Sequence, residues 1–337
     1  MTNILWILLT LLSLFPLACK LLLSPQVSPA SLIVEAIPVE LDPENPGRTR
    51  LGRLTFLSGF RLKSEDSRFG GLSGLALSPD GSMLYTVSDA GYWVSARMRH
   101  DSQGRLTGFD QWTMASLLTP EGTPVRRPRH DAEALAVDRD GSFIVSFEQI
   151  HRLWRYPPLP TGFTAKAAPL LMPPELKEAP ANEGVEGVAL LPGGRLFVIT
   201  EGYKNPDGSV KAWLVDNGRF ASLSYLVSDG FVPTDVTALP GGDLLVLERR
   251  YSFFGGVAGR VQWISRDALR PGAVLRGKEI ASFHPPLLVD NFEGIAVRQD
   301  SNGNTLVYIV SDDNYSLFQK TYLLQFRLER DSGNSGG

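Results

Sequence analysis

The chain has 337 residues, of which 43% are hydrophobic and 20% charged, and its net charge is −3 at pH 7. This balance is ordinary for a globular protein and argues against nucleic acid as a partner, because no basic excess is present. The 33 glycines and 24 prolines are spread along the chain, as in proteins that join many short elements by turns. The composition therefore favours an all-β fold.

The first 29 residues form a segment of their own. An apolar run extends from Ile4 to Ala18 and is interrupted only by Thr10 and Ser13. Its length suits the core of a signal peptide, but no Lys or Arg precedes it, so an uncleaved anchor that extends to Leu23 stays open. We expect an exported protein, periplasmic or membrane-anchored, that contacts a membrane only through this segment.

The only cysteine, Cys19, follows the apolar run directly. Bacterial lipoproteins carry their lipidated cysteine at this place, although Pro16 stands where Leu is usual. A lipid anchor at Cys19 and an incidental apolar residue both stay open. In either case the rest of the chain has no cysteine, and therefore neither a disulfide nor a thiol nucleophile.

Five predicted β-hairpins follow along the chain, and they share one pattern. Each has two apolar strands joined by a turn that is rich in Pro, Asp or Gly. They cover residues 72–89, 129–149, 185–201, 234–248 and 292–312. The first strand of every copy has alanine at the same place: Ala76, Ala136, Ala189, Ala238 and Ala296. The copies begin 60, 53, 49 and 58 residues apart, a spacing that is typical of β-propeller blades.

Two further strands fit after each hairpin, which makes four strands a blade. The last unit is one strand short, because only the segment 322–328 follows its hairpin. The segment 52–60, which precedes the first unit, can supply the missing strand. We predict a single five-bladed β-propeller over residues 30–330 in which this N-terminal strand closes the last blade. A six-bladed ring is the alternative, and residues 331–337 are expected to be a disordered tail.

Acidic residues occupy equivalent places in the five units. In a propeller the innermost strand starts, and the next strand ends, at the same mouth of the central channel. The strand starts are Ser73, Glu133, Glu186, Asp235 and Glu293. The strand ends are Asp89, Glu148, Glu201, Glu248 and Asp312. Nine of these ten residues are acidic, whereas Asp and Glu make up 36 of all 337 residues, so chance does not explain the pattern.

Carboxylates that crowd together repel one another, so their pKa values rise unless a cation neutralises them. Basic side chains could do so, because Arg249 with Arg250, and Arg129 with His130, lie beside two of the acidic positions. A hard metal ion is the other candidate, and a mouth that offers many oxygen ligands and no thiolate fits calcium. The four histidines form no paired motif and do not favour zinc. Caps for backbone N–H groups would be a purely structural alternative.

At these residues the sequence resembles the bacterial phytase-like domain family, which is described as "esterase-like activity of phytase". The resemblance is carried by FGGLSGLALSPDG (69–81), DAEALAV with SFE, NEGVEGVALLPGG, PTDVTALPGGDLLVLERRYS, DNFEGIAV and SDDNYSLFQKTYLLQF (311–326). It covers roughly residues 52–328 and implies an exported β-propeller with hydrolase activity on phosphate or carboxylate esters. The polar positions shared with the family are Glu133, Glu148, Glu186, Glu201, Asp235, Glu248, Arg249, Arg250, Asp290, Asn291, Glu293, Asp312, Asp313 and Asn314.

Metal-assisted hydrolysis fits the residues best if the protein is an enzyme. The sequence contains no G-x-S-x-G elbow, Walker motif or dinucleotide fingerprint. Ser73 stands where the other units have Asp or Glu, either as a nucleophile or as a small residue that leaves room. Glu133, Glu293 or His130 would take a proton from water. The predicted calcium ligands are Asp89, Glu148, Glu186, Glu201, Asp235, Glu248 and Asp312.

A small anionic or ester substrate would be bound by Arg249, Arg250 and Lys320, because guanidinium and ammonium groups pair with phosphate and carboxylate oxygens. The same arginines could instead only neutralise the acidic ring. The alternative function is a non-catalytic propeller that binds a ligand or a protein. In both cases we expect a monomer.

Overall fold

The structure is a computed structural model that describes residues 28–252 and 255–330. Over these ranges it consists of β-strands, three 3-10 helices of three to five residues, and turns. Four strands precede the first repeat: β1 (Ala30–Ser31), β2 (Glu35–Pro38), β3 (Arg50–Leu51) and β4 (Leu54–Lys63). The helices are Thr161–Phe163, Pro174–Glu178 and Arg266–Ala268.

Each repeat forms one sheet, as the hairpin pattern predicts. The first blade consists of β5 (Leu72–Leu77), β6 (Met83–Ser88), β7 (Tyr92–His100) and β8 (Leu106–Ser116). The second consists of β9 (Ala132–Val137), β10 (Phe143–Phe147), β11 (Arg152–Tyr156) and β12 (Ala168–Leu170). The third consists of β13 (Val185–Leu190), β14 (Leu196–Lys204), β15 (Val210–Asp216) and β16 (Arg219–Tyr225).

The last two blades are less regular in their order along the chain. The fourth consists of β17 (Val232–Ala238), β18 (Leu244–Ser252) and β19 (Gly256–Ile264), then, after β20 (Val274–Leu275) on the edge of the third blade, β21 (Lys278–Phe283). The fifth consists of β22 (Asn291–Gln299), β23 (Thr305–Asp312) and β24 (Thr321–Leu328), and its fourth strand is β4.

Closure of the ring by β4 confirms the five-bladed prediction over the six-bladed alternative. β4 pairs antiparallel with β24 in a register that runs from Leu54 opposite Leu328 to Leu62 opposite Thr321. The predicted strand 52–60 therefore lies two to three residues too early but in the predicted sheet. A strand from the beginning of the described chain is thus held by one from its end.

The segment before β4 adds a second tie between the first and last blades. β1 pairs with β8 on the outer edge of the first blade, and β2 pairs with β4 on the outer edge of the fifth. The predicted leader over residues 1–29 lies outside the described residues except for its last two positions, and the predicted tail 331–337 lies wholly outside them. The helices of the described ranges are all too short or too polar to span a bilayer.

The hydrophobic core is divided among the blade interfaces. Five clusters of buried apolar side chains lie in the described part of the chain, one between each pair of adjacent blades. Between the first two blades, for example, the rings of Trp93 and Phe143 meet edge to face with centroids 5.3 Å apart. Because each cluster needs two blades, the blades are stable only together.

Small residues let the inner strands of adjacent blades approach closely around the axis. β5, β9, β13, β17 and β22 each contact the inner strands of two neighbouring blades. A Cβ on Gly74 would lie 2.6 Å from the backbone N of Leu135, and one on Gly187 would lie 2.8 Å from Val236 Cγ1. The small residue that follows the acidic position in four repeats is therefore required by this packing.

We expect Gly74→Ala to destabilise the protein more than Gly104→Ala. Both glycines have positive φ (58° and 77°), but nothing lies within 4 Å of a Cβ at Gly104. The loss of stability in the Gly104 variant should therefore come from backbone strain alone. The Gly74 variant also overpacks the inner ring, which should lower its free energy of unfolding by about 1–3 kcal/mol more. Urea unfolding of the two variants measures the difference, and equal losses would contradict the close approach.

Candidate functional site

Every inner strand begins with a β-bulge, and the bulge falls at the acidic position of the repeat. A bulge adds one residue to one strand of a pair and re-aims its side chains. The register of the inner pair shifts at this place in all five blades. The residues at or next to the shifts are Ser73, Glu133, Glu186, Asp235 and Glu293.

Eight of the ten strand starts and strand ends meet at one mouth of the channel, where they line a cavity of about 340 Å³. We call it the acidic cavity. Eight carboxylates and one guanidinium line it, together with a hydroxyl and two amides. The lining residues are Ser73, Asp89, Asp131, Glu133, Glu148, Asn182, Glu186, Glu201, Arg249, Glu293, Asp312 and Asn314.

Three of these carboxylates are close enough to hold one metal ion. One oxygen from each of Asp131, Glu133 and Glu148 lies within 4.8 Å of the others. The backbone N–H of Glu148 donates to the carbonyl of Asp131 at 2.9 Å, which continues the β9–β10 pairing and sets these two residues side by side. The structure thus unites Glu133, a predicted catalytic residue, with Glu148, a predicted calcium ligand.

Burial and mutual repulsion raise the pKa values of the clustered carboxyl groups. Burial, then Asp131 and Glu148, hold the pKa of Glu133 well above its usual range. Burial raises the pKa of Glu148 to about 7, although a hydrogen bond from the Gly184 N–H acts against it. Burial, with repulsion from Asp131 as the next cause, raises the pKa of Asp89 to about 6. Bound protons or a bound cation must therefore offset this charge.

Among the described residues, Arg249 is the only one that brings a guanidinium to the lining of the acidic cavity, and three side chains hold it. It donates to Glu201 Oε1 and to Asn291 Oδ1, both at 2.9 Å, and its Nε lies 3.3 Å from Glu293 Oε1. Burial raises the pKa of Glu293 to about 7 even though Arg249 acts to lower it. A third of the Arg249 side chain stays exposed, so the guanidinium is oriented but still accessible.

Two predicted calcium ligands do not line the acidic cavity, because other groups already engage their carboxylates. Asp235 accepts hydrogen bonds from the backbone N–H groups of Val236 (2.7 Å) and Ile295 (2.8 Å). Glu248 is fully buried and forms an ion pair with Arg260. Both carboxylates therefore join adjacent parts of the fold, as the structural alternative for this pattern predicts.

Glu248 also accepts a hydrogen bond from the hydroxyl of Tyr225 at 2.8 Å. Tyr225 belongs to β16 of the third blade and Glu248 to β18 of the fourth. Since Arg260 and Tyr225 together occupy this carboxylate, Glu248 ties two blades to each other rather than facing the axis.

His130 lies beside the acidic cavity rather than in its lining. Its Nδ1 donates to the carbonyl oxygen of Asp89, since a carbonyl oxygen can only accept. In the neutral ring this places the hydrogen on Nδ1 and the lone pair on Nε2. The contact shown by the structure is therefore with the backbone that carries Asp89, not with a group inside the cavity.

Two of the three predicted substrate-binding residues also lie outside the lining of the acidic cavity. Arg250 donates to the carbonyl of Asp229 at 3.1 Å and stacks over the ring of Phe231 at 4.7 Å. The ammonium of Lys320 donates to the carbonyl of Leu317. Of the three predicted substrate-binding residues, Arg249 alone lines the acidic cavity.

Sequence reasoning missed two residues of the lining, Asp131 and Asn182. Asp131 stands two positions before Glu133. Because strand residues two apart share a face, the alternation along the strand would have predicted Asp131 on the same side as Glu133. Asn182 lies in the loop before β13 and accepts a hydrogen bond from the amide of Gln149. That contact joins positions 33 apart in the chain, and no local pattern marks it.

Fold and site define a class: a five-bladed β-propeller with a carboxylate-lined cavity at one channel mouth. The family described as "Phytase-like: Esterase-like activity of phytase" matches residues 67–315. The chain belongs to this family, which confirms the resemblance carried by its motifs. No curated protein matches the chain.

Several solved structures are distantly similar. An endo-arabinase from Bacteroides thetaiotaomicron is 12% identical over 78% of this chain and 95% of its own, with a TM-score of 0.47. A hypothetical protein from Leishmania major is 11% identical over 87% of this chain and 95% of its own, with a TM-score of 0.47. A virginiamycin B lyase from Staphylococcus aureus is 10% identical over 80% of this chain and 98% of its own, with a TM-score of 0.37.

We expect the EDTA-treated protein to lose stability as the pH rises from about 5 to about 8. Unfolded carboxyl groups release their protons near pH 4, whereas folded Glu148 and Glu293 keep theirs to about 7 and folded Asp312, which is buried, to about 8. In this window the unfolded state binds fewer protons than the folded state, so stability falls.

Melting temperatures at pH 5, 6.5 and 8 check this expectation. Glu148→Gln should flatten the decline, because it removes one of the groups that titrate. Glu178→Gln, a change at an exposed carboxylate of the helix Pro174–Glu178, is the matched control and should leave the decline unchanged. A melting temperature that is constant or rises over this range would contradict the expectation.

Proposed function

We propose that the protein is a calcium-dependent hydrolase of phosphate or carboxylate esters and that the acidic cavity is its active site. One observation carries the proposal: eight carboxylates surround a cavity of about 340 Å³ whose lining holds one guanidinium. Membership of the phytase-like family supports ester hydrolysis as the reaction class. The substrate is thus a small ester with a charged or strongly polar head.

The residues of the acidic cavity fit a calcium ion. The metal ligands that the carboxylates, the amides and the hydroxyl of the lining offer are oxygen atoms. Calcium prefers oxygen ligands and takes six to eight of them in flexible geometry. Asp131, Glu133 and Glu148 would hold the ion, and the nearby lining carboxylates and amides offer further oxygens. One oxygen of Asp89, Oδ1, is buried without a hydrogen-bond partner, as a carboxylate left for a cation would be.

The chain's own groups divide the remaining tasks. Bound calcium supplies a Lewis acid that polarises the ester and stabilises developing negative charge. The exposed part of Arg249, oriented by Glu201 and Asn291, binds the anionic head of the substrate. Glu293, whose pKa lies near 7, accepts a proton from the attacking water at neutral pH. The oxygen of that water bonds to the phosphorus or carbonyl carbon, the bond to the alkoxide breaks, and Glu293 returns its proton to the alkoxide, so that an acid and an alcohol leave.

A non-catalytic binding propeller is the second candidate, and one observation favours it. The lining of the acidic cavity contains no histidine among the described residues, and His130 is engaged outside it. Hydrolysis therefore depends on carboxylates alone as bases. A propeller that only captures an anionic ligand through calcium and Arg249 would have the same lining.

Calcium should raise the melting temperature of the EDTA-treated protein by at least a few degrees. At a hundredfold excess over Kd, a ligand of the folded state adds about 2.7 kcal/mol. Magnesium should do less, because it demands octahedral geometry and keeps its waters. Glu133→Gln should abolish most of the calcium response, whereas the exposed-site control Glu178→Gln should keep it. An unchanged melting temperature at millimolar calcium would refute the metal site.

Calcium-loaded protein should hydrolyse at least one of p-nitrophenyl phosphate, phytate and short acyl esters, and EDTA should stop the reaction. Arg249→Gln should lower kcat/KM about 10–100-fold, as expected for a lost charge-assisted contact. Arg155→Gln is the matched control, because Arg155 pairs with Asp138 (2.7 Å) and Asp140 (2.9 Å) at the β9–β10 turn. Calcium binding without hydrolysis of any ester would favour the binding propeller.

A further inference from the structure

A second cavity, of about 570 Å³, adjoins the acidic cavity on the side of the fourth and fifth blades. We call it the rim groove. Arg249 and Asn314 line both spaces, so the two are adjacent. The rim groove differs in chemistry, because Tyr251, Val257, Val289 and Phe318 contribute to its lining and the acidic cavity has no comparable apolar side chain.

The hairpin β18–β19 carries Arg249 and the apolar wall of the groove on one face. Residues two apart in a strand point to the same side, so Tyr251 shares the face of Arg249. Val257 lies directly opposite Tyr251 in the β18–β19 register, and directly opposed residues also share a face. Two residues of an antiparallel strand span about 6.8 Å. The apolar part of this face therefore begins two residues, about 6.8 Å of backbone, along the strand from Arg249.

The loop between β23 and β24 forms another part of the wall. It carries Asn314, Ser316 and Phe318, which line the groove. Phe318 is 93% exposed and Tyr251 is 75% exposed, so two aromatic side chains from different elements are open to solvent at the same groove. Large apolar side chains exposed beside a concave site mark a place where a ligand covers them.

We propose that the rim groove binds an aromatic alcohol portion of the ester substrate, so that aryl-bearing esters are the preferred substrate class. This inference rests on the proposed function, because the head of the ester is placed in the acidic cavity. The acidic cavity, with its charged lining, offers no apolar surface for the rest of such a molecule. A volume of about 570 Å³ lies within the range for drug-sized ligands.

The aromatic side chains in the lining of the rim groove favour an aromatic group over a flexible alkyl chain. The faces of Tyr251 and Phe318 can stack on a ring or meet its edge, and such pairs are favourable beyond the apolar area they bury. Arg249, which lines both cavities, adds a guanidinium group that can also stack on a ring.

Turnover of paired esters tests the inference. Benzyl phosphate is compared with ethyl phosphate, and benzyl acetate with ethyl acetate, because both leaving groups are primary alcohols of similar acidity. For the pair that is hydrolysed, kcat/KM should be at least about tenfold higher for the benzyl ester. Tyr251→Ala should remove most of this preference, and Tyr251→Phe should keep it. Leu171→Ala, at a residue 71% exposed near the end of the second blade, is the matched control.

Binding of the neutral alcohol 2-naphthylmethanol, followed by its fluorescence, separates the groove from the reaction. The alcohol could bind to the wild type and to Leu171→Ala but not to Tyr251→Ala, while no ester is hydrolysed. This result would support binding of an aromatic group in the rim groove and would refute the hydrolase proposal. If esters are hydrolysed with no benzyl preference, or the preference survives Tyr251→Ala, the groove inference is overturned. Tyr251-dependent binding to neutral lipid vesicles without aryl selectivity would also overturn it, because the rim would then contact a lipid surface.

Discussion

Carboxylates at the strand starts and strand ends of a closed ring repel one another, and the structure around the channel mouth depends on how the charge of each is offset. Asp235 is offset by two backbone N–H groups and Glu248 by Arg260 and a tyrosine hydroxyl. Glu201 and Glu293 share Arg249. A buried charge without a partner is costly. The pairings above leave a group of carboxylates that no basic side chain of the described residues neutralises, and this group includes Asp131, Glu133 and Glu148. The candidate metal site is what the fold itself does not neutralise.

The same pairings serve the architecture. Glu248 joins the third blade to the fourth through Tyr225, and Asp235 joins the fourth to the fifth through the N–H of Ile295. Arg249 likewise connects Glu201 of the third blade with Glu293 of the fifth. The bulges that begin the inner strands make this possible, because they re-aim the polar side chains at the strand starts, while the alanine row beyond them lines a separate cavity of about 200 Å³. Ring closure and site formation are therefore two results of one repeated local geometry.

Much of the fold could be predicted from the sequence, because blade number and ring closure depend on patterns that recur within the chain. The strands β1 to β3 escaped prediction, since segments of two to four residues carry too little alternation to be recognised. For the site, the sequence predicted most of the residues that gather at the channel mouth, but not the role of each one. Glu148 and Glu248 occupy equivalent positions at strand ends, yet their roles differ because Arg260 on the neighbouring strand engages Glu248. Such a partner is chosen by tertiary contact, and no repeat pattern shows it.

Closure of the fifth blade has a kinetic consequence. Ser58 of β4 and Gln325 of β24 are joined by a hydrogen bond of 3.1 Å although 267 positions separate them in the chain. A contact between such distant positions forms late, because the entropy of closing the loop must be met before the contact stabilises anything. Until then β4 and β24 each present an unpaired edge, which can accept the equivalent strand of another copy. Slow folding at high concentration would therefore favour strand-exchanged oligomers, and dilution during refolding would favour the closed ring.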